Sequence, residues 1–262
     1  MSEPKEPSSS SIEIRSAVPT FLVPDVATAA RWYADHLGFA VAGTFPKTKP
    51  HAYASLQRGG AEIMLLALPG YEKPDLRARR PEGLWDVYVR LQGVERLYES
   101  VRGQAFVQMP LRRQPYGDLE FEVRDPNGYV VVFGGDVPDT EEAPRPSRFV
   151  SVAPMIPAGR DLEGAIAFYV EKMGFALEWR SDTMAGIRRG EVAFNMVVND
   201  NREWAENSSY SIGVRDLDAL YAAYRDLPAR VGPLEVKAWG RREFHLIVPS
   251  GVCLQFYEAE RP

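Results

Sequence analysis

The sequence predicts an α+β protein built from four βαβββ modules, arranged as two tandem domains. Three observations predict it. Asp25 to Phe39 (DVATAARWYADHLGF) recurs as Asp161 to Phe175 (DLEGAIAFYVEKMGF), with Asp, Tyr, Gly and Phe matched at one offset, 161 − 25 = 136. A second set pairs Val94, Leu97 and Tyr98 with Leu217, Leu220 and Tyr221, and Pro126, Gly128 and Phe133 with Pro249, Gly251 and Phe256, at 217 − 94 = 123. Matches held at a fixed offset mark an internal repeat. Between these anchors run short apolar or alternating stretches of strand length, separated by Gly, Pro and Asp turns. The smaller second offset reflects shorter loops in the second half.

Each element has a local reason. Ala17 to Val23 is an apolar run stopped by Pro24, and reads as a strand. Asp25 then caps a helix by accepting from its free N–H groups. Val26, Ala29, Ala30, Tyr33 and Leu37 form its apolar face, and Gly38 ends it. Strands follow at Phe39 to Phe45, Ala52 to Gln57 and Ala61 to Leu68, the last two joined through Arg58-Gly59-Gly60. After an Arg-rich loop, Pro69 to Gly83, a second module repeats the pattern. Its strand is Trp85 to Leu91 and its helix Val94 to Val101, followed by strands Ala105 to Met109, Asp118 to Arg124 and Tyr129 to Phe133. Pro110 to Gly117 reads as a loop. The third module has strands at Phe149 to Ile156, Phe175 to Arg180, Gly186 to Arg189 and Val192 to Val198, then a loop, Asn199 to Ser208. The fourth starts at Tyr210 to Val214, caps its helix with Asp216 and closes with a hairpin. The expected boundaries are a disordered tail 1–16, a first domain 17–137, a linker 138–147 and a second domain 148–262.

Composition narrows the function. The chain has 262 residues, 45% of them hydrophobic, and a net charge of −5. That balance suits a globular protein and argues against a nucleic-acid partner, which needs a basic surface. No run is long enough to span a membrane. The N-terminal MSEPKEPSSSS has no apolar core and does not read as a signal peptide. A lone Cys253 forms no disulfide within the chain, so a reducing, cytoplasmic setting is expected. His36, His51 and His245 have no ligand-like spacing, and no nucleophile elbow, HExxH or phosphate-cradling loop is present.

The pattern D-[VL]-x5-[WF]-Y-x4-G-F, with its following strands and the DPNG turn at Asp125 to Gly128, resembles the vicinal oxygen chelate superfamily of glyoxalases, bleomycin-resistance proteins and extradiol dioxygenases. WGRREFHLIVPSG, Trp239 to Gly251, is similar to a hairpin of the metal-free bleomycin-resistance branch, and PYGDLEFEVRDPNG, Pro115 to Gly128, is a looser copy. The resemblance covers about residues 17–258. It implies that two modules curl around one cavity, so that four make a covalent pseudo-dimer, a monomer or a homodimer of it. Metal-dependent relatives carry ligands at four strand positions. These fall here at Val18, Met64, Asp86 and Val132, and at Ser151 or Val152, Phe194, Ser209 and Gln255. Neither set supplies three donors, so no metal and no cofactor are expected.

The expected function is therefore binding of a small organic molecule, aromatic or cationic, by sequestration as in antibiotic resistance, with no catalytic residue. The alternative is a metal-dependent lyase, isomerase or dioxygenase. Strand parity and the family's pocket rim nominate Met64, Trp85, Asp86, Tyr88, Arg90, Phe194, Met196, Trp204, Ser209, Trp239, His245 and Gln255 as ligand-binding residues. Trp32 and Trp179 read as core or interface residues. For Asp86 a second reading stands beside ligand contact: a salt bridge to an arginine of the preceding loop.

Overall fold

The computed structural model describes residues 13–75, 85–136 and 147–259. The tail to residue 12, most of the linker and part of the Arg-rich loop, 76–84, lie outside the described residues.

The first module is β1 (Glu13–Val23), α1 (Val26–Leu37), β2 (Ala40–Phe45), β3 (Tyr53–Arg58) and β4 (Ala61–Ala67). The second is β5 (Val87–Gln92), α2 (Val94–Val101), β6 (Val107–Arg113), β7 (Leu119–Arg124) and β8 (Val130–Gly135). In the third, β9 (Arg148–Pro157) leads to α3 (Leu162–Ala167), then β10 (Ala176–Arg180), β11 (Met184–Arg189) and β12 (Val192–Val197). A short α4 (Arg202–Glu206) precedes the fourth, which has β13 (Ser209–Arg215), α5 (Leu217–Tyr224), β14 (Arg230–Val231), β15 (Glu235–Val236), β16 (Arg242–Ile247) and β17 (Cys253–Glu258).

The repeated helix is scaffold. Asp25 accepts from the N–H of Thr28 at 2.6 Å, and Gly38 closes α1 at φ 63, a left-handed conformation that suits glycine. In the second copy Asp161 caps in the same way, accepting from Gly164. That helix, however, loosens into a π turn at Phe168–Lys172 before Gly174.

The modules pair in two different ways. By hydrogen bonding, one sheet runs β14-β16-β17-β13-β1-β4-β3-β2 and the other β10-β11-β12-β9-β5-β8-β7-β6. The first module therefore shares a sheet with the fourth, and the second with the third. By side-chain packing the division follows the sequence. Phe21, Tyr33, Leu65, Val89 and Phe133 belong to one core, and Ile166, Tyr169, Phe194, Leu220 and Phe256 to another. The halves also trade a residue. Phe149 of β9 is buried in the first core and Ile14 of β1 in the second. The β3–β4 turn seats on β9, where Gly60 donates its N–H to Phe149 O at 2.9 Å. The β11–β12 turn seats on β1, where Glu191 donates to Ile14 O at 3.2 Å.

Several expectations are corrected. β1 begins at Glu13, not Ala17, because Ile14 has the other half's core to enter. Residues Pro110 to Arg113, read as loop, extend β6 alongside β7. The Asn199 to Ser208 loop contains α4, capped by Asn201, whose side chain accepts from Trp204 N at 2.7 Å.

Candidate functional site

Alternate side chains of a strand point to opposite faces. In both sheets one face packs on the helices and the other, termed the open face, does not. On the β5–β12 sheet, Val87, Val89 and Leu91 enter the core, leaving Tyr88 and Arg90 on the open face. Phe194 and Met196 were expected on this open face, and both are instead fully buried in the second core. The register explains the slip. Asn195 opposes Met155 as Met64 opposes Thr20, so the equivalent open-face residue lies one position later than Phe194.

The open face of this sheet is aromatic on one arm and acidic on the other. Met155, Val197 and Trp204 form a buried cluster on it, with Trp85 and Met184 packed alongside. Trp204 is thus a floor residue held by α4 rather than a loop rim. Trp179, expected in a core or interface, is 44% exposed and lies across Gly186. A Cβ on Gly186 would sit 2.0 Å from the indole Nε1 of Trp179, so only glycine lets the ring lie on the sheet. A glycine inside the strand, between Ala185 and Ile187, was the sequence signal for this contact. Trp32, by contrast, packs against the first core as expected.

The opposite arm carries Glu120 and Glu122 of β7, in register with Gly134 and Val132. Glu120 is buried and accepts the hydroxyl proton of Tyr116 at 2.6 Å. Burial raises its pKa, bonds from Tyr116 and Tyr88 oppose the rise, and Asp118 adds to it. Burial raises Glu122 likewise, against the pull of Arg112. Tyr88 donates to Asp118 at 3.1 Å, and Arg90 pairs with Asp118 at 2.9 Å and with Asp136. Tyr88 and Arg90 are therefore already committed to an internal network.

Asp86 sits at the seam between the sheets. It pairs with Lys73 at 3.2 Å and accepts from Val130 N at 2.7 Å. Among the described residues its loop partner is a lysine, Lys73. Burial raises its pKa, with Lys73 and the Val130 bond opposing. The void beside it, lined by Thr20, Tyr71, Tyr129 and Tyr210, measures ≈ 20 Å³, room for one water rather than a guest.

The other open face is polar. Met64, Ser209, His245 and Gln255 all lie on it, as the register places Thr20 beside Met64 and Ser209, and Gln255 beside His245. Ser211 donates to Gln255 Oε1 at 3.1 Å. Glu243, fully buried, bonds Arg241 Nε at 2.5 Å and His245 Nε2 at 2.9 Å. Burial works to raise Glu243, but the His245 bond and Arg241 together lower it, so it is an ionised carboxylate. Burial raises the Tyr53 hydroxyl on β3, Glu62 adds to the rise, and Arg241 opposes it. Trp239 stands apart at the β15–β16 turn, 52% exposed.

The sheets regroup the candidate metal positions. Val18 and Met64 join Ser209 and Gln255 on one sheet, while Asp86 and Val132 join Ser151, Val152 and Phe194 on the other. The first set holds no acid or imidazole, and the second holds one carboxylate, already bonded to Lys73. Among the described residues, no three His, Cys, Asp or Glu gather to hold an ion. A divalent metal needs three or four converging donors, and these positions do not fit one. No helix among the described residues is long and apolar enough to cross a membrane.

Residues 16–133 match the family model described as the Glyoxalase/Bleomycin resistance protein/Dioxygenase superfamily. No curated protein matches the chain. Among solved structures, a glyoxalase I variant from Zea mays is similar at TM-score 0.68 and 18% identity, covering 95% of this chain and 93% of that one. Unmodified glyoxalase I from Zea mays gives TM-score 0.67 and 17% identity, covering 94% and 93%. A bleomycin-binding protein from Streptomyces verticillus, complexed with copper(II)-bleomycin, is 26% identical, covering 41% of this chain and 96% of that one at TM-score 0.36. The two maize structures share the fold over nearly the whole chain, and a shared fold does not fix an activity.

Proposed function

We propose that this member of the Glyoxalase/Bleomycin resistance protein/Dioxygenase superfamily is a metal-free binding protein. Its guest is a flat, cationic, aromatic natural product, sequestered on the open face of the β5–β12 sheet. The observation that carries this reading is the exposed indole of Trp179 laid over Gly186; the carboxylates of Glu120 and Glu122 lie on the other arm of the same sheet. A flat guest stacks on the indole, and its positive charge is met by carboxylates that burial has left under-solvated. Cation–π contact of this kind contributes about 0.5–2 kcal/mol, and the partly buried Trp85 adds apolar burial. Sequestration needs affinity and stoichiometric protein, not turnover. A metal-dependent lyase, isomerase or dioxygenase would need donors that the equivalent positions do not supply.

Titrating the intrinsic tryptophan fluorescence with proflavine, a planar aromatic cation, tests the proposal. Saturable quenching at one equivalent is expected, lost in Trp179→Ala and weakened about tenfold in Glu122→Gln. Unchanged quenching in both variants, or none in the native protein, would remove the reading.

A further inference from the structure

The polar open face carries chemistry that an aromatic-cation site does not use. His245 and Gln255 stand directly opposite each other on β16 and β17, and Ser211 follows Gln255 in the same row on β13. Glu243 is a fully buried carboxylate and can only accept, so the proton on the His245–Glu243 bond belongs to Nε2. A neutral imidazole protonated at Nε2 presents Nδ1 as an acceptor, and among the described residues Nδ1 has no partner. The Ser211 hydroxyl, 1% exposed, donates to Gln255 Oε1, which fixes the amide so that its NH2 group is presented as a donor. Opposed residues on neighbouring strands hold their side chains about 5 Å apart. When His245 is the neutral imidazole, an acceptor therefore stands beside a donor, each oriented by a buried neighbour.

We propose that His245 and Gln255 form a second binding site, for a small flat ring bearing an N–H next to a C=O: a lactam, an imide or a pyrimidinedione. The ring N–H donates to His245 Nδ1 and the ring carbonyl accepts from Gln255. Tyr257, with the Arg241 guanidinium 4.3 Å above its ring, walls one side. Arg241 and Glu243 are positioning residues; they touch His245 or each other and not the guest. This site shares no residue with the aromatic face, so the two readings fail independently.

The test is a calorimetric titration of the full chain with uracil and with succinimide, alongside 1,3-dimethyluracil and N-methylsuccinimide. The His245 ring nitrogens are followed by NMR in the same samples. Uracil and succinimide are expected to bind and to shift the Nδ1 resonance, while the N-methylated rings do neither. Gln255→Met should weaken uracil binding at least tenfold while leaving proflavine quenching as in the native protein; because it also leaves the buried Ser211 hydroxyl without its acceptor, its thermal midpoint is expected to fall. Equal binding of the methylated rings, no binding of uracil at millimolar concentration, or an unmoved His245 resonance on saturation would each overturn the proposal.

Discussion

Tyr33 donates its hydroxyl proton to Asp125 across 3.0 Å, whereas the equivalent hydroxyl of the second half, Tyr169, has no partner among the described residues. The offset of 136 relates the two tyrosines, and at the offset of 123 the place of Asp125 is taken by Val248. Both rings are buried. A buried hydroxyl without a partner keeps its desolvation cost and gains nothing in return. Tyr33→Phe should therefore cost about 1–3 kcal/mol by leaving a buried Asp125 oxygen without its donor. Tyr169→Phe should be neutral or stabilising by up to about 1 kcal/mol. Urea midpoints of the two variants check both signs.

The same pair sets a pH dependence. Burial pushes the Asp125 carboxyl up to about 6, against the hydrogen bonds from Tyr129, Tyr33 and Asn127 that hold it down. Its folded value lies above the unfolded one, so the folded state holds this proton more tightly. The stabilisation is complete below the unfolded value of about 4 and is lost as pH rises through about 6. In Asp125→Asn this contribution is absent, so the stability of the native protein relative to the variant should fall by roughly 2–3 kcal/mol across that window. Equilibrium unfolding at several pH values reads it.

Exchange between the halves is expected to make the fold unfold as one cooperative unit. Phe149 is 2% exposed in the first core, although it belongs to the third module, and Arg58 stacks on its ring at 4.2 Å. Phe149→Ala should cost about 3–5 kcal/mol. Because β9 also pairs with β5 across the halves, calorimetry should still show one transition at a lower midpoint. Gly60→Ala strikes the same junction from the other side, since its Cβ would lie 2.1 Å from Val150 O. That contact is with backbone, so the β3–β4 turn must lift off β9, and the variant is expected to lose more stability than an exposed Gly→Ala change.

Much of this fold was legible because its signals are local. Asp25, Gly38 and the apolar face of α1 announce a helix within a dozen residues, and the repeat multiplies that one identification by four modules. Pairing of modules was not legible. β1 and β9 are both central strands with similar apolar content, and nothing local says that β1 joins β13 or that β9 joins β5. At the candidate sites the errors have separate causes. A one-residue slip turned Phe194 and Met196 from core to open face, because side-chain direction alternates at every residue. Trp204 was assigned to a loop because a five-residue helix carries too little periodicity to register. Trp179, expected in a core or an interface, owes its place on the sheet to a glycine of the neighbouring strand, Gly186. Met64, Ser209, His245 and Gln255 were found together because parity outward from the repeat happened to be kept on those strands.

If guest binding needs no metal, one measurement reads this most directly. Proflavine is titrated into the purified protein with and without EDTA, with bound metal quantified and the thermal midpoint recorded after addition of Ni, Zn, Mn or Fe. The expected result is identical titrations, a midpoint unmoved by any of the ions, and metal well below one equivalent per chain. Metal retained at one equivalent per open face, a midpoint raised by an added ion, and binding abolished by EDTA would contradict it.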